Sequence, residues 1–401
     1  MFDAVRRSGP ITRTELAQTI GLTVQAISNI AADLEEAGLI RQQGKRAGQR
    51  GQPAVELSLN PRGGYTIGLS LAYQRATGLL VDLTGAVVAN ETRTLGERDP
   101  KTTAGVLADI ASGLLVAGQV RREEIWGVGC SVPGTVENGT FWYDKVQEGD
   151  DWTKFPLTSR LEELTGIKTF VENDATVAAI GERLYGIGRT VRSFFYLHFN
   201  LGIGGGLVLD GQHFRGAFGG AGEIGHLIVK PGGRFCACGS RGCLEQYVSF
   251  YAAAETICGP ARTPDEVSAE ELVERLVEDD PRLIAWLREA AQYLRIAIRN
   301  IEAMFDPDTV VIGGGLPAEL LERLMDATTP LPPAMIHRHS STLPRLMRAE
   351  HSSELPALGA AALPIAIALQ PNVSGFASNA AGAAATDNPA LISLGIDLGR
   401  R

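Results

Sequence analysis

Apolar positions recur at helical spacing twice within the first sixty residues, with a break between the two runs. Thr12 and Glu15 have the spacing of a capping box, and Leu16 and Ile20 lie on one face of the helix they would start. Gly21 interrupts that helix and Thr23 is placed to cap a second one. Ile27, Ile30, Ala31 and Leu34 carry the second apolar stripe, and Gly38 follows as a stop. Two short helices across a glycine-containing turn predict a helix-turn-helix. The stretch GLIRQQGKRAGQRGQPAVELSLNP then reads as two strands around a basic, glycine-rich tip, the outline of a winged helix ending at Pro61–Gly64. Thr23, Val24, Gln25, Ser28 and Asn29 lie near the start of the second helix. They are mostly short polar side chains suited to base edges and phosphates in a major groove. Lys45, Arg46 and Arg50 sit on the wing. The alternative is a helical hairpin used for oligomerisation, with a solvated basic linker.

From Tyr65 the pattern changes to strands. YTIGLSLAYQRATGLLVDLTGAVVANETRT is apolar and β-branched, with Asp82–Gly85 as a hairpin turn. A helix follows over about 101–119, then a buried strand running into a Gly/Pro loop at 131–139. Residues 167–186 read as a strand, a short polar turn and a helix. A second strand pair begins at Arg192 in the rhythm of the first. This repetition predicts an α/β protein of two similar lobes, with a ligand in the cleft between them.

Composition changes the picture in two places. The chain of 401 residues carries a net charge of −9, yet residues 1–62 hold eight Lys or Arg against six Asp or Glu, leaving −11 to the rest. A locally basic module on an acidic protein fits a small head facing an anionic partner, double-stranded DNA, and not a chain that coats nucleic acid. No run of about 18 apolar residues predicts a membrane span, and MFDAVRRSGPITRTE lacks a signal-peptide core. A cytoplasmic protein is expected, in which clustered cysteines read as metal ligands before disulfides.

Three of the five cysteines, Cys236, Cys238 and Cys243, fall within eight residues, and His226 precedes them by ten. Three thiolates and one imidazole fill a tetrahedral zinc site and leave no position for water, so the zinc expected here is structural. Buried free cysteines or a redox pair are the alternatives, although the spacing is C-x-C and not C-x-x-C. Cys130 and Cys258 read as small core residues. Glu223 and Glu245 flank the cluster, and Asn173 and Asp174 mark a strand-to-helix junction. Three carboxylates, an amide and an imidazole are the mixture of acceptors and donors that a polyhydroxylated ligand needs.

The motifs SVPGTVENG (131–139), VENDATVAAIGE (171–182), GIGGGLVLDG (202–211), GEIGHLIV (222–229), GCLEQYVS (242–249) and VVIGGGL (310–316) resemble, in order, those of the ROK family of repressors and sugar kinases. The resemblance covers about 65–370. It implies the actin-like, ribonuclease-H-like fold over 63–370, with lobes at roughly 63–170 and 171–350 and a last helix at about 355–370 returning to the first. The winged helix occupies 1–62, and a flexible tail is expected over 371–401. By the same resemblance Gly134, Asn173, Asp174, Glu223, His226 and Glu245 bind a sugar or sugar phosphate, and Asp174 matches the kinases' catalytic base.

Where those kinases carry an Asp-x-Gly-Gly-Thr phosphate loop, this chain has Ser70-Leu71-Ala72-Tyr73-Gln74, and Asn200-Leu201-Gly202 replaces Gly-Thr-Gly. Without the glycines the backbone cannot approach phosphate closely. No catalytic residue is therefore assigned. The kinases have an asparagine a few residues ahead of the tryptophan matching Trp152, where this chain has Glu148-Gly149-Asp150-Asp151; either the acid at 148 alters the preferred sugar or this loop is displaced. The terminal GIDLGRR imitates a phosphate loop but has no strand after it. The expected protein is a sugar-responsive repressor, a homodimer or homotetramer on DNA. A ROK sugar kinase and a sugar-binding protein without an operator are the alternatives.

Overall fold

The computed structural model describes residues 1–46, 54–72, 75–96, 99–137, 140–142, 152, 155–258, 262–334, 342–349 and 355–369. It forms two compact units, one of Met1–Asn173 with the chain from Ala357, the other of Asp174–Pro356. Arg50, Tyr73, Gln74, Glu148 and the tail from 370 lie outside the described residues.

The first unit begins with α1 (Phe2–Ser8), β1 (Ile11–Thr12), α2 (Arg13–Ile20), α3 (Val24–Glu36), β2 (Ile40–Arg46) and β3 (Ala54–Leu59). The capping box is present. Thr12 Oγ1 accepts the Glu15 N–H at 3.3 Å, and the Glu15 carboxylate accepts the Thr12 N–H at 2.8 Å. Gly21 ends α2 in the left-handed conformation, and Thr23 Oγ1 accepts the Ala26 N–H at the start of α3. Ile27, Ala31 and Leu34 bury the inner face of α3. β3 pairs antiparallel with both β1 and β2, which completes a winged helix. The helix α1, which the sequence pattern does not announce, sets Phe2 against Trp126 with ring centroids 6.4 Å apart.

The same unit continues with β4 (Tyr65–Ala72), β5 (Arg75–Asp82), β6 (Val87–Thr94), α4 (Pro100–Gly118), β7 (Ile125–Val132), β8 (Thr135–Glu137), β9 (Thr140–Trp142), α5 (Leu157–Thr165) and β10 (Thr169–Asn173). The sheet order is β10-β7-β4-β5-β6, an antiparallel meander extended by two parallel strands. All eight residues of β7 are buried, as a strand covered on both faces requires. Edge strand β6 alternates exposure and carries Glu91 and Arg93, which discourages pairing with another chain.

The last of the described helices, Leu355–Leu369, covers one face of this sheet. Paired Gly68 and Gly129 let it approach, since a Cβ at either would lie 1.9 Å or less from the carbonyl oxygen of Ala357 or Ala360. A backbone carbonyl cannot swing aside as a side chain can. Gly129→Ala should therefore destabilise this unit by about 3 kcal/mol, the upper end of overpacking costs. Chemical denaturation would measure it, and an unchanged midpoint would refute this account of the packing.

The second unit holds α6 (Asp174–Tyr185), β11 (Phe194–Phe199), β12 (Ile203–Leu209), β13 (Gln212–Phe214), α7 (Glu245–Val248), α8 (Phe250–Ile257), α9 (Ala269–Val277), α10 (Pro281–Phe305), β14 (Thr309–Gly314), α11 (Ala318–Thr328) and β15 (Leu346–Arg348). The last helix becomes α12. The sheet order is β13-β12-β11-β14-β15, again a meander plus two parallel strands. The repeated topology is that of the actin-like fold. At 173–174 the sequence expectation needs one correction. No polar turn separates strand from helix, because Asn173 ends β10 and Asp174 begins α6.

Candidate metal centre and ligand site

A single helical turn at Ile224–His226 presents His226, and the loop that follows returns to it through bridges at Ile228–Cys243 and Phe235–Arg241. Within the loop the Cys236 N–H donates to Ser240 O at 2.9 Å, and the Leu244 N–H to Leu227 O at 2.9 Å. The ligand atoms of His226, Cys236, Cys238 and Cys243 all fall within 4.8 Å of one another. His226 Nδ1 is 3.6 Å from Cys236 Sγ, and the Cys238 and Cys243 sulfurs are 3.6 Å apart. Tetrahedral bonding with Zn–S of about 2.3 Å and Zn–N of about 2.0 Å would separate two thiolates by about 3.8 Å and a thiolate from an imidazole nitrogen by about 3.5 Å. The residues therefore fit zinc in both donor set and spacing. Hydrogen bonding from Ser240 is the first cause holding the Cys238 thiol down to about 7, which favours a thiolate ligand.

Because Nδ1 of His226 faces the sulfurs, Nε2 is left to point elsewhere, and it lies 3.9 Å from Glu223 Oε2. Glu245 begins α7, is buried, and places Oε1 3.7 Å from Cys236 Sγ. Burial pushes the Glu223 carboxyl up. Nearby His226 opposes the shift, while Asp174 and Glu245 add to it, so the three carboxylates act on one region. Asp174 opens α6 with Oδ1 accepting the Ala175 N–H at 2.8 Å and Oδ2 accepting Asn200 Nδ2 at 3.2 Å. Asn173, one residue earlier, donates from Nδ2 to Gly134 O at 2.8 Å. The structure thus brings Asp174, Glu223, His226 and Glu245 together within the second unit, and joins Asn173 to Gly134 in the first.

Sequence patterns gave no sign of His198. Nε2 of this buried residue lies 3.6 Å from Asp174 Oδ2. The available signal was a lone histidine in the otherwise apolar strand Phe194–Phe199. Trp152 is buried against Phe155.

On the head, Val24, Gln25 and Asn29 project from the outer face of α3, and Gln25 Nε2 donates to Asn29 Oδ1 at 3.1 Å. Ser28 is half-buried, with its hydroxyl on Val24 O at 2.8 Å. Thr23 is exposed and is occupied as the helix cap. Lys45 and Arg46 lie on β2, paired in register with Val55 and Ala54 of β3.

A winged-helix head ahead of a twice-repeated actin-like sheet, with a Cys₃His cluster beside a carboxylate-rich site, defines the class of this molecule. The chain belongs to the ROK family, whose profile matches residues 66–367, while residues 1–51 match the MarR family. The xylose repressor of Bacillus subtilis (strain 168) is 26% identical over 317 residues, which span 78% of this chain and 80% of that repressor. A ROK hexokinase from Thermus thermophilus is 31% identical and covers 74% of this chain and 97% of its own, with a TM-score of 0.60. A ROK transcriptional regulator homologous to the E. coli MLC protein reaches a TM-score of 0.67 over 91% of this chain and 96% of its own. At 23% identity that likeness concerns the fold alone, but it includes the head. Repressors and kinases both stand among the relatives.

Proposed function

We propose that the chain is a sugar-responsive transcriptional regulator, a repressor, whose affinity for DNA changes when a sugar or sugar phosphate binds its ROK domain. The observation that carries this reading is the combination of an exposed α3 on a winged helix with a donor–acceptor set beside a metal loop. Asp174, Glu223, His226 and Glu245, which the second unit brings together, take the sugar's hydroxyls. Zinc on His226, Cys236, Cys238 and Cys243 supplies no chemistry to the sugar. It fixes the loop that aims Glu223, His226 and Glu245. Two copies of the chain would present two α3 helices to paired half-sites. A tenfold change in DNA affinity requires a coupling of only about 1.4 kcal/mol between sugar and operator.

A panel of sugars and sugar phosphates, D-xylose and D-glucose among them, screened for thermal stabilisation tests the ligand half, since a ligand of the native state raises the melting temperature. Operator fragments selected from random DNA test the other half. Changing Arg46 and Arg50 together to alanine should weaken operator binding roughly tenfold and lower its salt slope by about two, one for each phosphate left without its arginine. Unchanged binding would remove the wing from the interface.

The hexokinase likeness and the retained Asp174 favour a second reading, an ATP-dependent sugar kinase. Against it stand Ser70 and Ala72 in the first hairpin and Asn200 in the second loop. ATP turnover with any sugar of the panel would establish it.

A further inference from the structure

We propose that His198 is a positioning residue for Asp174. Its buried imidazole directs an Nε2–H at Oδ2 and, with the Asn200 amide, fixes the carboxylate in the orientation that receives a sugar hydroxyl. This rests on the functional reading above for the sugar, but not for the histidine itself.

His198 lies on β11, a strand whose six residues are all buried, and is itself 1% exposed. Among the described residues, neither ring nitrogen has a hydrogen-bond partner. In register, its neighbours are Gly204 on β12 and Gly313 on β14, which offer no side chain to either nitrogen. On its own strand the ring stacks on Tyr196, centroids 6.0 Å apart, and the Tyr196 hydroxyl is equally buried and has no partner among the described residues. Among the described residues, the acid that pairs with it is Asp174, at 3.6 Å. Burial holds the imidazole below its usual value despite the pull of Asp174, so at neutral pH the ring is uncharged and carries one N–H. A buried N–H is rarely left unmade. Placing the proton on Nε2 turns the 3.6 Å approach into a hydrogen bond after a shift of a few tenths of an ångström. Placing it on Nδ1 leaves the N–H with nothing to bond among the described residues.

The consequence falls on Asp174. Its Oδ1 is occupied by the Ala175 N–H, and its Oδ2 faces Asn200 Nδ2 and His198 Nε2 from a second direction. Donors on both oxygens stop the carboxylate from rotating about its Cβ–Cγ bond, so a ligand meets a preset acceptor. Asn200 is held in turn. Its N–H donates to Gly202 O at 2.9 Å, and its Oδ1 lies beside the turn at Gly315.

Three full-length variants separate positioning from packing. His198→Leu keeps bulk and removes the donor, His198→Gln restores an N–H near the Nε2 position, and Asp174→Asn removes the acceptor's charge. Histidine ring nitrogens are first read by NMR in the sugar-free protein. The Nε2–H tautomer is expected for His198, and Asp174→Asn should shift its resonances. Titration calorimetry follows with D-xylose, D-glucose and N-acetyl-D-mannosamine. For whichever sugar binds, His198→Leu should lose roughly tenfold in affinity at a melting temperature close to the parent's, and His198→Gln should return to within about threefold. A proton on Nδ1, or His198→Leu binding as tightly as the parent, overturns the assignment. Should none of the three sugars bind the parent protein, the functional reading loses its support, and the tautomer still decides the role of His198. If His198→Leu does not fold, His198→Gln and the tautomer carry the test.

Discussion

Changing Cys236 and Cys243 together to serine is expected to abolish zinc retention, lower the melting temperature by roughly 6–12 °C and weaken sugar binding. The two sulfurs are buried, and burial pushes their thiols up, that of Cys243 to about 12. Three sulfurs and an imidazole this close can all serve as donors only when a cation draws the protons off. Apparent zinc-binding free energies in small domains reach about 10 kcal/mol or more. This loop is also tied by its own backbone hydrogen bonds, so a loss of about 3 kcal/mol is a conservative expectation. For a unit of this size each kcal/mol moves the melting temperature by about 2–4 °C. Elemental analysis should find about one zinc per parent chain and almost none in the variant. A parent protein purified without zinc that melts and binds sugar normally would dispose of the structural metal. A chelator gives the same test without substitution. Loss of sugar binding should accompany loss of zinc, because Glu245 follows Cys243 by two residues and Glu223 is paired to His226 of the same cluster.

Much of this arrangement is legible in the sequence because its signals are local. Thr12, Glu15, Gly21 and Thr23 each act within a turn of their own position, so the two head helices could be placed before any tertiary structure was known. The cysteine spacing works the same way, since a loop of eighteen residues between His226 and Glu245 leaves the donors few other places to go. What the pattern does not reveal depends on contacts between distant residues. His198 looks like an interruption of an apolar strand until β11 packs beside the start of α6, 24 residues earlier. Asn200 reads as a departure from a glycine loop until its amide is found on Asp174. The glycine pair Gly68 and Gly129 means nothing without α12, which arrives more than two hundred residues later to lie against it. The short helix α1 has only seven residues and no side-chain cap, so its existence depends on packing, with Phe2 against Trp126.

Asp174→Asn should be the most damaging single change to the sugar response. The substitution keeps size and shape and removes one negative charge. A hydrogen bond to a charged acceptor is worth about 1.5–3 kcal/mol, which corresponds to a roughly 10- to 150-fold loss of sugar affinity. Folding should survive, because the amide oxygen can still accept the Ala175 N–H, because Asn200 can turn its own side-chain oxygen toward the new NH2 group, and because neutralising Asp174 relieves its repulsion of Glu223. The melting temperature without sugar should stay within a few degrees of the parent's, while the stabilisation added by sugar disappears at concentrations that saturate the parent. In an operator-binding assay the same concentrations should no longer alter DNA affinity. These outcomes also distinguish the two readings of Asp174. If the residue is a sugar ligand in a regulator, its loss appears as weakened binding, and parent and variant alike leave ATP untouched. If it is a kinase's base, the parent turns over ATP with its sugar, and Asp174→Asn lowers kcat far more than it raises KM for the sugar. The carboxylate would then act on the reacting hydroxyl in the transition state, and the amides and imidazole around it would be holding a catalyst in place of a receptor.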